Sequence, residues 1–356
     1  MKFIHIADVH WGMNPDNDKP WGRERTQAVK DTLGEVVRQA RIREVDLLLV
    51  AGDLFHRQPL LRDLKEINYL FSTIPGVKIV LIAGNHDRIR SSSALYSFTW
   101  SSDVTWLMDE EFTSVAFADF NTVVTGFSYH SAEITEARLS GFHAPATPGI
   151  HILLVHGGDT AHLPLDKKQL SGNGFSYNAL GHIHKPELSD DRRWAYPGSP
   201  EPLDKTETGP HGMITGEISP TTCQVTSLEF VPLSQVQYIP LVVNVTPATT
   251  NGELMDSIKQ EIQKRGSENI FRFRIRGMRD PDITFDIKLL ESRMRIAEII
   301  DESEPQYDFS RLFAEHPSDM IGFYIRELKK DDMSPIEKKA LFYGIDALLQ
   351  TQDERS

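Results

Sequence analysis

Lys2-Phe-Ile-His-Ile-Ala-Asp8-Val-His10-Trp-Gly12 opens the chain. An apolar run stops there on an aspartate and a histidine two residues apart. In an extended segment residues i and i+2 share a side, so Asp8 and His10 project together from the end of a buried strand. Four further stretches repeat the device: Gly52-Asp53, Gly84-Asn-His-Asp87, His156-Gly157 and Gly181-His-Ile-His184. Each is ordinary when alone. Gly-Asn-His-Asp can be a hairpin tip, because Asn and Gly tolerate left-handed geometry, and a lone His156 is more often a satisfied core histidine. Together and in this order they supply seven ligands of metal-binding type, namely Asp8, His10, Asp53, Asn85, His156, His182 and His184, with His86 beside them.

Working outward, apolar runs at Phe3–Ala7, Val45–Ala51, Val77–Ala83, Val123–Phe127 and Ile150–Val155 read as buried strands, being short and bounded by turn residues. Between the first two, Val29, Leu33, Val36, Val37 and Ala40 fall on one helical stripe of Glu24–Ile42. Alternation of strand and helix, followed by more closely spaced strands, predicts an α/β domain of sheets covered by helices. The metal-type residues sit at or just beyond strand ends, where open sheets place their ligands.

A composition change at Val231-Pro-Leu-Ser-Gln235 closes this first domain, set at 1–232. A small α+β domain is expected over 236–330. Its elements are a strand at Tyr238–Val245, a helix at Asn251–Gly266 with Leu254, Ile258 and Ile262 aligned, and strands at Asn269–Arg276 and Ile283–Leu289. Residues 331–356 form a C-terminal helix and tail. Ser334-Pro-Ile-Glu337 has the signature of a capping box with proline at the first helical position, starting a helix that runs to about Gln350.

At 356 residues the chain is long for one core, which agrees with two domains. With 25% charged and 40% hydrophobic residues it is globular in composition, and no run approaches a membrane span. No targeting segment is read at the start, and the single Cys223 cannot form an internal disulfide, which fits a cytoplasmic location. A net charge of −13 opposes strong independent duplex binding.

Cleaving a phosphodiester needs a nucleophile at neutral pH, relief of phosphate charge and a stabilised leaving oxygen, and two neighbouring divalent cations meet all three needs. The carboxylate of Asp53 has two oxygens that can bridge a metal pair. A mixed N/O donor set without thiolate suits manganese, iron or zinc better than calcium, and octahedral manganese fits well.

As a set, the five stretches closely resemble the sequence blocks of the calcineurin-like metallophosphoesterases, over about residues 1–230. The resemblance implies a four-layer α/β/β/α sandwich with a dinuclear centre at one edge. Asp8, His10, Asp53 and His184 would hold one metal; Asp53 as the bridge, Asn85, His156 and His182 would hold the other. A water activated by the pair would attack phosphorus in line. His86 would stabilise charge or protonate the leaving oxygen. Asp87 would either orient that imidazole or cap a helix.

Fold alone does not choose among phosphatases, phosphodiesterases and nucleases. Gly52-Asp-Leu-Phe-His56, Asp8-Val-His-Trp-Gly12 and Tyr196-Pro-Gly-Ser-Pro200 resemble the SbcD-like branch of DNA double-strand-break repair nucleases. That branch implies 3′→5′ exonuclease action on DNA ends and endonuclease action on single strands. It also implies a capping domain, dimers and a separate SbcC-like coiled-coil ATPase. His56 would help seat DNA, the alternative being a partly exposed helix-start residue. Arg88 and Arg90 would meet the substrate backbone, and Tyr196 or Trp11 could stack on a base. In Phe271-Arg-Phe-Arg-Ile-Arg276, alternation gives one face three arginines, either for phosphates or as an edge strand that blocks aggregation with charge. The rivals are a phosphatase or small-molecule phosphodiesterase on the same scaffold, and a non-catalytic scaffold.

Overall fold

The computed structural model describes residues 1–353. By its contacts the chain divides into two compact units: Met1–Ile239 with Glu268–Ile270, and Pro240–Ser267 with Phe271–Ser356.

The first unit rests on two six-stranded sheets. One sheet has the order β12-β11-β1-β2-β3-β4, formed by Val225–Pro232, Gly212–Ile218, Lys2–Ile6, Leu47–Ala51, Lys78–Ile82 and Val104–Trp106. Within it β1 through β4 run parallel, and the β11/β12 hairpin adds antiparallel to β1. The other has the order β5-β6-β7-β8-β10-β9, formed by Thr113–Phe117, Thr122–Gly126, Ile150–His156, Tyr177–Gly181, Trp194–Tyr196 and Glu187–Leu188. Its central strands β6, β7, β8 and β10 are parallel.

Alternation along each strand decides what each face meets. From the first sheet Phe3, Leu47, Leu49, Val80 and Ile82 pack against Val124, Ile152, Leu154, Tyr177 and Ala179 of the second, filling the space between sheets. The opposite face of the first sheet, with Ile4, Ile6, Leu48, Val50, Ile79 and Leu81, is covered by helices α1 (Gly22–Ile42) and α2 (Leu61–Ser72). Leu153, Val155 and Leu180 on the outer face of the second sheet meet Leu163, Phe175 and Leu170, the last on the short helix α3 (Lys167–Gly172). The result is the α/β/β/α sandwich.

The second unit contains a sheet ordered β13-β14-β15, from Tyr238–Val245, Ile270–Arg279 and Ile296–Asp301, with β16 (Glu304–Pro305) also on β14. Helix α4 (Asn251–Arg265) starts at a capping box of Thr250 and Glu253 and buries Leu254, Ile258 and Ile262. The strand expected at Ile283–Leu289 does not form. Asp286 accepts a hydrogen bond from the Leu289 N–H and starts helix α5 (Ile287–Arg293) there; the strand comes later, as β15. An N-capping aspartate inside an apolar run outweighed its β-like pattern. Helices α6 (Phe309–Glu315), α7 (Met320–Leu328) and α8 (Pro335–Asp353) share a small core, in which Leu341 and Ile345 of α8 are buried with Ile321 and Ile325 of α7. Among the described residues, no helix is long and apolar enough to cross a membrane.

Away from the strand-end Asp and His residues, an ion pair in the first unit is also wholly buried. Arg25 of α1 donates through Nη1 to Glu201 and through Nη2 to the Pro202 carbonyl. Glu201 also accepts from Thr32 Oγ1 at 2.8 Å and from the Gln235 N–H at 2.8 Å. The pair thus ties α1, the segment after β10 and the end of β12 together. Removing one partner strands a buried charge, so Glu201→Ala is expected to destabilise the unit by about 3–5 kcal/mol. All five tryptophans (11, 21, 100, 106 and 194) lie in this unit, and urea unfolding followed by their fluorescence checks the expectation. An unchanged midpoint and slope would contradict it.

Candidate metal centre

Five parallel strands deliver the candidate ligands at their carboxyl ends. Asp8 and His10 follow β1, Asp53 follows β2, Asn85 and His86 follow β3, His156 ends β7, and His182 and His184 follow β8. The first two loops are zipped together: Asp8 N–H donates to Gly52 O, His10 N–H to Asp53 O and Trp11 N–H to Leu54 O. Asp8, His10 and Asp53 all hold left-handed backbone, at φ 54°, 50° and 50°, and His182 has φ 95°. Non-glycine residues seldom adopt such values, and they cluster where a site over-determines the geometry.

Space at the centre is exhausted by its own side chains. A Cβ on Gly84 would lie 2.3 Å from Asp53 Oδ1 and 2.7 Å from His156 Nε2, while one on Gly52 would meet the His156 ring at 2.5 Å.

Hydrogen bonds fix the tautomers. His156 Nδ1 is 2.9 Å from the Ala51 carbonyl. A carbonyl can only accept, so Nδ1 carries a proton, and Nε2 is the nitrogen left to meet a cation once the ring is neutral. That Nε2 faces two further acceptors, Asn85 Oδ1 at 3.1 Å and Asp53 Oδ2 at 3.4 Å. His184 Nδ1 donates to Glu207 Oε1 at 2.7 Å, which turns its Nε2 toward His10 Nε2 at 3.2 Å. Lone pairs converging this closely require something positive among them. The donor set, two buried carboxylates with imidazoles and an amide oxygen, fits divalent cations, and Asp8/His10/His184 and Asp8/Asp53/His156 each gather tightly enough to hold one.

With protons alone as counter-charge, the electrostatics are strained. Burial pushes the Asp8 carboxyl up to about 6, against the pull of His184 and His156. At Asp53 burial acts the same way, but the charge and hydrogen bond of His156, with His10, hold the carboxylate below its usual range. Burial by itself would lower His156; the Asp53 carboxylate overrides it and raises the ring to about 9. His184 is likewise opposed by burial but raised to about 9 by its bond to Glu207. His182 falls to about 4 through burial and the neighbouring His156.

His182 is half-buried and less exposed than His184. Its N–H donates to both oxygens of Asp8, at 3.1 and 3.0 Å, its ring lies 5.2 Å edge-on from His156, and its Nε2 is 2.8 Å from Asp159 Oδ2.

His86 is exposed at the mouth, its ring 4.7 Å edge-on from His10 and stacked 5.2 Å from His56. Its orientation does not come from Asp87. That residue is fully buried, with Oδ1 accepting from the Gly84 N–H at 2.7 Å and Oδ2 from the Phe55 N–H at 3.1 Å. Asp87 therefore ties two loops together and neither caps a helix nor touches His86. Burial, with the Asp53 charge adding to it, raises its carboxyl to about 7. The His86 Nδ1–H donates instead to the main-chain carbonyl of His56 at 3.1 Å.

Tyr196 also departs from expectation. Its ring is 1% exposed, within the core beneath the second sheet, and its hydroxyl donates to the Gly157 carbonyl at 3.0 Å. No face is left for a base, and Trp11 is buried too. In β14, Phe271, Phe273 and Ile275 are buried as expected, but Arg272 pairs with Glu298, and Arg274 and Arg276 with Glu302. The strand lies between β13 and β15, so it is not an edge. Arg88 and Arg90 do stand at the mouth, lining a cavity of about 440 Å³ with His56, Asn85 and His86.

Three participants escaped the sequence reading. Glu207 sits on a loop whose local pattern carries no mark; its Oε2 accepts from Ser199 Oγ and the Leu203 N–H, both at 2.9 Å, so its hold on His184 is rigid. Asp159 and His162 follow His156 at regular intervals of three, a spacing that could have flagged them, and they pair at 3.0 Å beside His182.

The sequence profile of the calcineurin-like phosphoesterases matches residues 1–186, more than half of the chain. The chain belongs to that family of hydrolases, which use divalent metals. It is similar to the "uncharacterized metallophosphoesterase YhaO" of Bacillus subtilis, 26% identical over 305 residues that cover 78% of this chain and 72% of the relative. It is also similar to the DNA double-strand break repair protein Mre11 of Methanopyrus kandleri, 26% identical over 238 residues, 59% of this chain and 52% of that one. Mre11 of Methanocaldococcus jannaschii is 28% identical over 218 residues, 58% of each chain. The matches span little more than half the length of these Mre11 relatives.

Carboxylates that orient metal-binding histidines govern affinity by about 10–100-fold. Glu207→Ala is accordingly expected to weaken Mn²⁺ binding by that factor in calorimetric titration of the full chain. Affinity equal to the parent's would detach Glu207 from the centre.

Proposed function

We propose that this hydrolase is a manganese-dependent phosphodiesterase acting on DNA, with exonuclease activity on ends and endonuclease activity on single strands. What carries the reading is the arginine-flanked mouth: Arg88 and Arg90 stand beside an exposed histidine, His86, at the edge of the Asp/His cluster. The similarity to proteins described as DNA double-strand break repair Mre11 supports it. Asp8, His10, Asp53 and His184 would hold one cation, and Asp53, Asn85, His156 and His182 the other. When bound, the pair supplies an activated water and neutralises phosphate charge.

The chain's own residues do the rest. Asp53, one oxygen of which accepts from the His86 N–H at 2.9 Å, would be shared by the two cations. Because His86 spends Nδ1–H on the His56 carbonyl, its Nε2 is the atom that can exchange a proton with the leaving oxygen. His56 would seat DNA through a ring stacked on that imidazole. An SbcC-like ATPase, as a separate protein, would find Ile336 and Tyr343 exposed on α8, whose Leu341 and Ile345 are already used internally. The engaged arginines of β14 and the net charge of −13 favour a second reading, a small-molecule phosphodiesterase on the same centre.

Purified chain with Mn²⁺ is expected to degrade an end-labelled duplex and nick a single-stranded circle, and Asp53→Asn to do neither. His86→Ala should lower kcat by about 10²–10⁴-fold while metal stoichiometry is retained. Turnover of a chromogenic phosphodiester without cutting of either DNA would select the second reading; inertness on all three, with metals bound, would end both. His56→Ala keeps the carbonyl that holds His86 and is expected to lose duplex-end cutting while single-strand cutting persists. Equal loss on both substrates would remove His56 from DNA seating.

A further inference from the structure

Two cavities flank the centre, and their charges differ. The one on the His86 side, about 440 Å³, is lined by Arg57, Arg88 and Arg90 against the single carboxylate of Glu133. The one on the His184 side, about 540 Å³, carries Asp159 and Glu207 against Lys185 and has no arginine. In a chain with thirteen excess negative charges, three guanidiniums at one catalytic edge are a local reversal.

Their partnering is equally uneven. Among the described residues no carboxylate pairs with Arg57 or Arg90, whereas Arg272, Arg274 and Arg276 are held by Glu298 and Glu302. Arg88 donates to the Asn85 carbonyl at 3.2 Å, and its own carbonyl accepts from Gln58 Nε2 at 2.8 Å. One guanidinium is thus anchored to the loop that carries a candidate ligand, and the exposed Arg57 and Arg90 share the same cavity. Guanidinium forks match phosphate oxygens, and a polymer offers a second phosphate next to the one being cut.

We propose that Arg57, Arg88 and Arg90 form a subsite for the phosphate adjacent to the scissile one, so that the phosphate-rich side of a polymeric substrate lies on the His86 side. The opposite cavity, with its two carboxylates, has no guanidinium to offer a phosphate. This rests on the phosphodiesterase reading above and adds a polarity to it. The three arginines bind and position; they take no part in bond breaking.

The test compares a one-phosphate ester, bis(p-nitrophenyl) phosphate, with a fluorescent single-stranded dodecanucleotide, using the full chain, Mn²⁺ and the Arg57→Gln/Arg90→Gln double variant. Charged hydrogen bonds to the flanking phosphate predict a rise in KM for the oligonucleotide at least about tenfold larger than for the ester. Oligonucleotide binding by anisotropy, which needs no turnover, should weaken likewise, and the slope of log affinity against log salt should shrink by about 1.4 for two lost contacts. Arg57→Lys/Arg90→Lys, which keeps both charges, should retain most of the salt slope. Losses equal on both substrates, or an unchanged salt slope, would overturn the subsite while leaving the phosphodiesterase standing. Failure of the parent to hydrolyse either substrate would instead reject the phosphodiesterase reading, and anisotropy would still judge whether these arginines grip the strand.

Discussion

Two carboxylates, Asp8 and Asp53, are held out of water at the ends of neighbouring strands, and the architecture of the first unit is bent to that arrangement. Burying ionised groups costs several kcal/mol each unless opposite charge and hydrogen bonds surround them. Here the surround is explicit. Main-chain N–H groups of His182 and His86 donate to the two carboxylates, and His156 lies within ion-pair distance of both. Because these groups come from both sheets, the sheets must pack closely enough at this edge for β7 and β8 to meet β2. Gly52, Gly84 and Gly181 leave out the atoms that would keep them apart.

Much of this was legible in the residues. The strand ends announce themselves because each apolar run breaks on a glycine or an ionisable side chain, and that break is a property of the local sequence. Strands β1, β2, β3, β6 and β7 and helix α1 lie within a residue or two of where hydrophobic spacing puts them. What pattern could not reach was direction. Asp87 stands next to His86 in sequence, yet its carboxylate turns inward to main-chain donors, while the support of His86 is a carbonyl thirty residues earlier. Tyr196 has an aromatic ring and a nearby motif, but strand alternation sends it into the core. Glu207 was invisible because its partner is adjacent only in space. In the second unit, Ile283–Leu289 shows the other failure, a short apolar run in which one aspartate at its middle caps a helix that begins at Ile287.

The His56 backbone and side chain divide their labour. The carbonyl sets the tautomer of His86, and any residue could provide it; the ring stacks on that imidazole and comes within 3.3 Å of His10 Nδ1. A substitution there separates surface from support. The arginine cavity next to it and the carboxylate-bearing cavity across the centre make the mouth electrically lopsided, a property that neither the net charge nor the metal ligands disclose.

The left-handed backbone at Asp8, His10 and Asp53 has a consequence for how such a protein drifts. Each of these conformations costs about 1–3 kcal/mol, tolerated because the surrounding packing enforces it. Glycine or asparagine at those positions would relax the chain, so selection for heat tolerance alone would erode the centre before the core. Keeping the chemistry means keeping the first unit below its greatest attainable robustness.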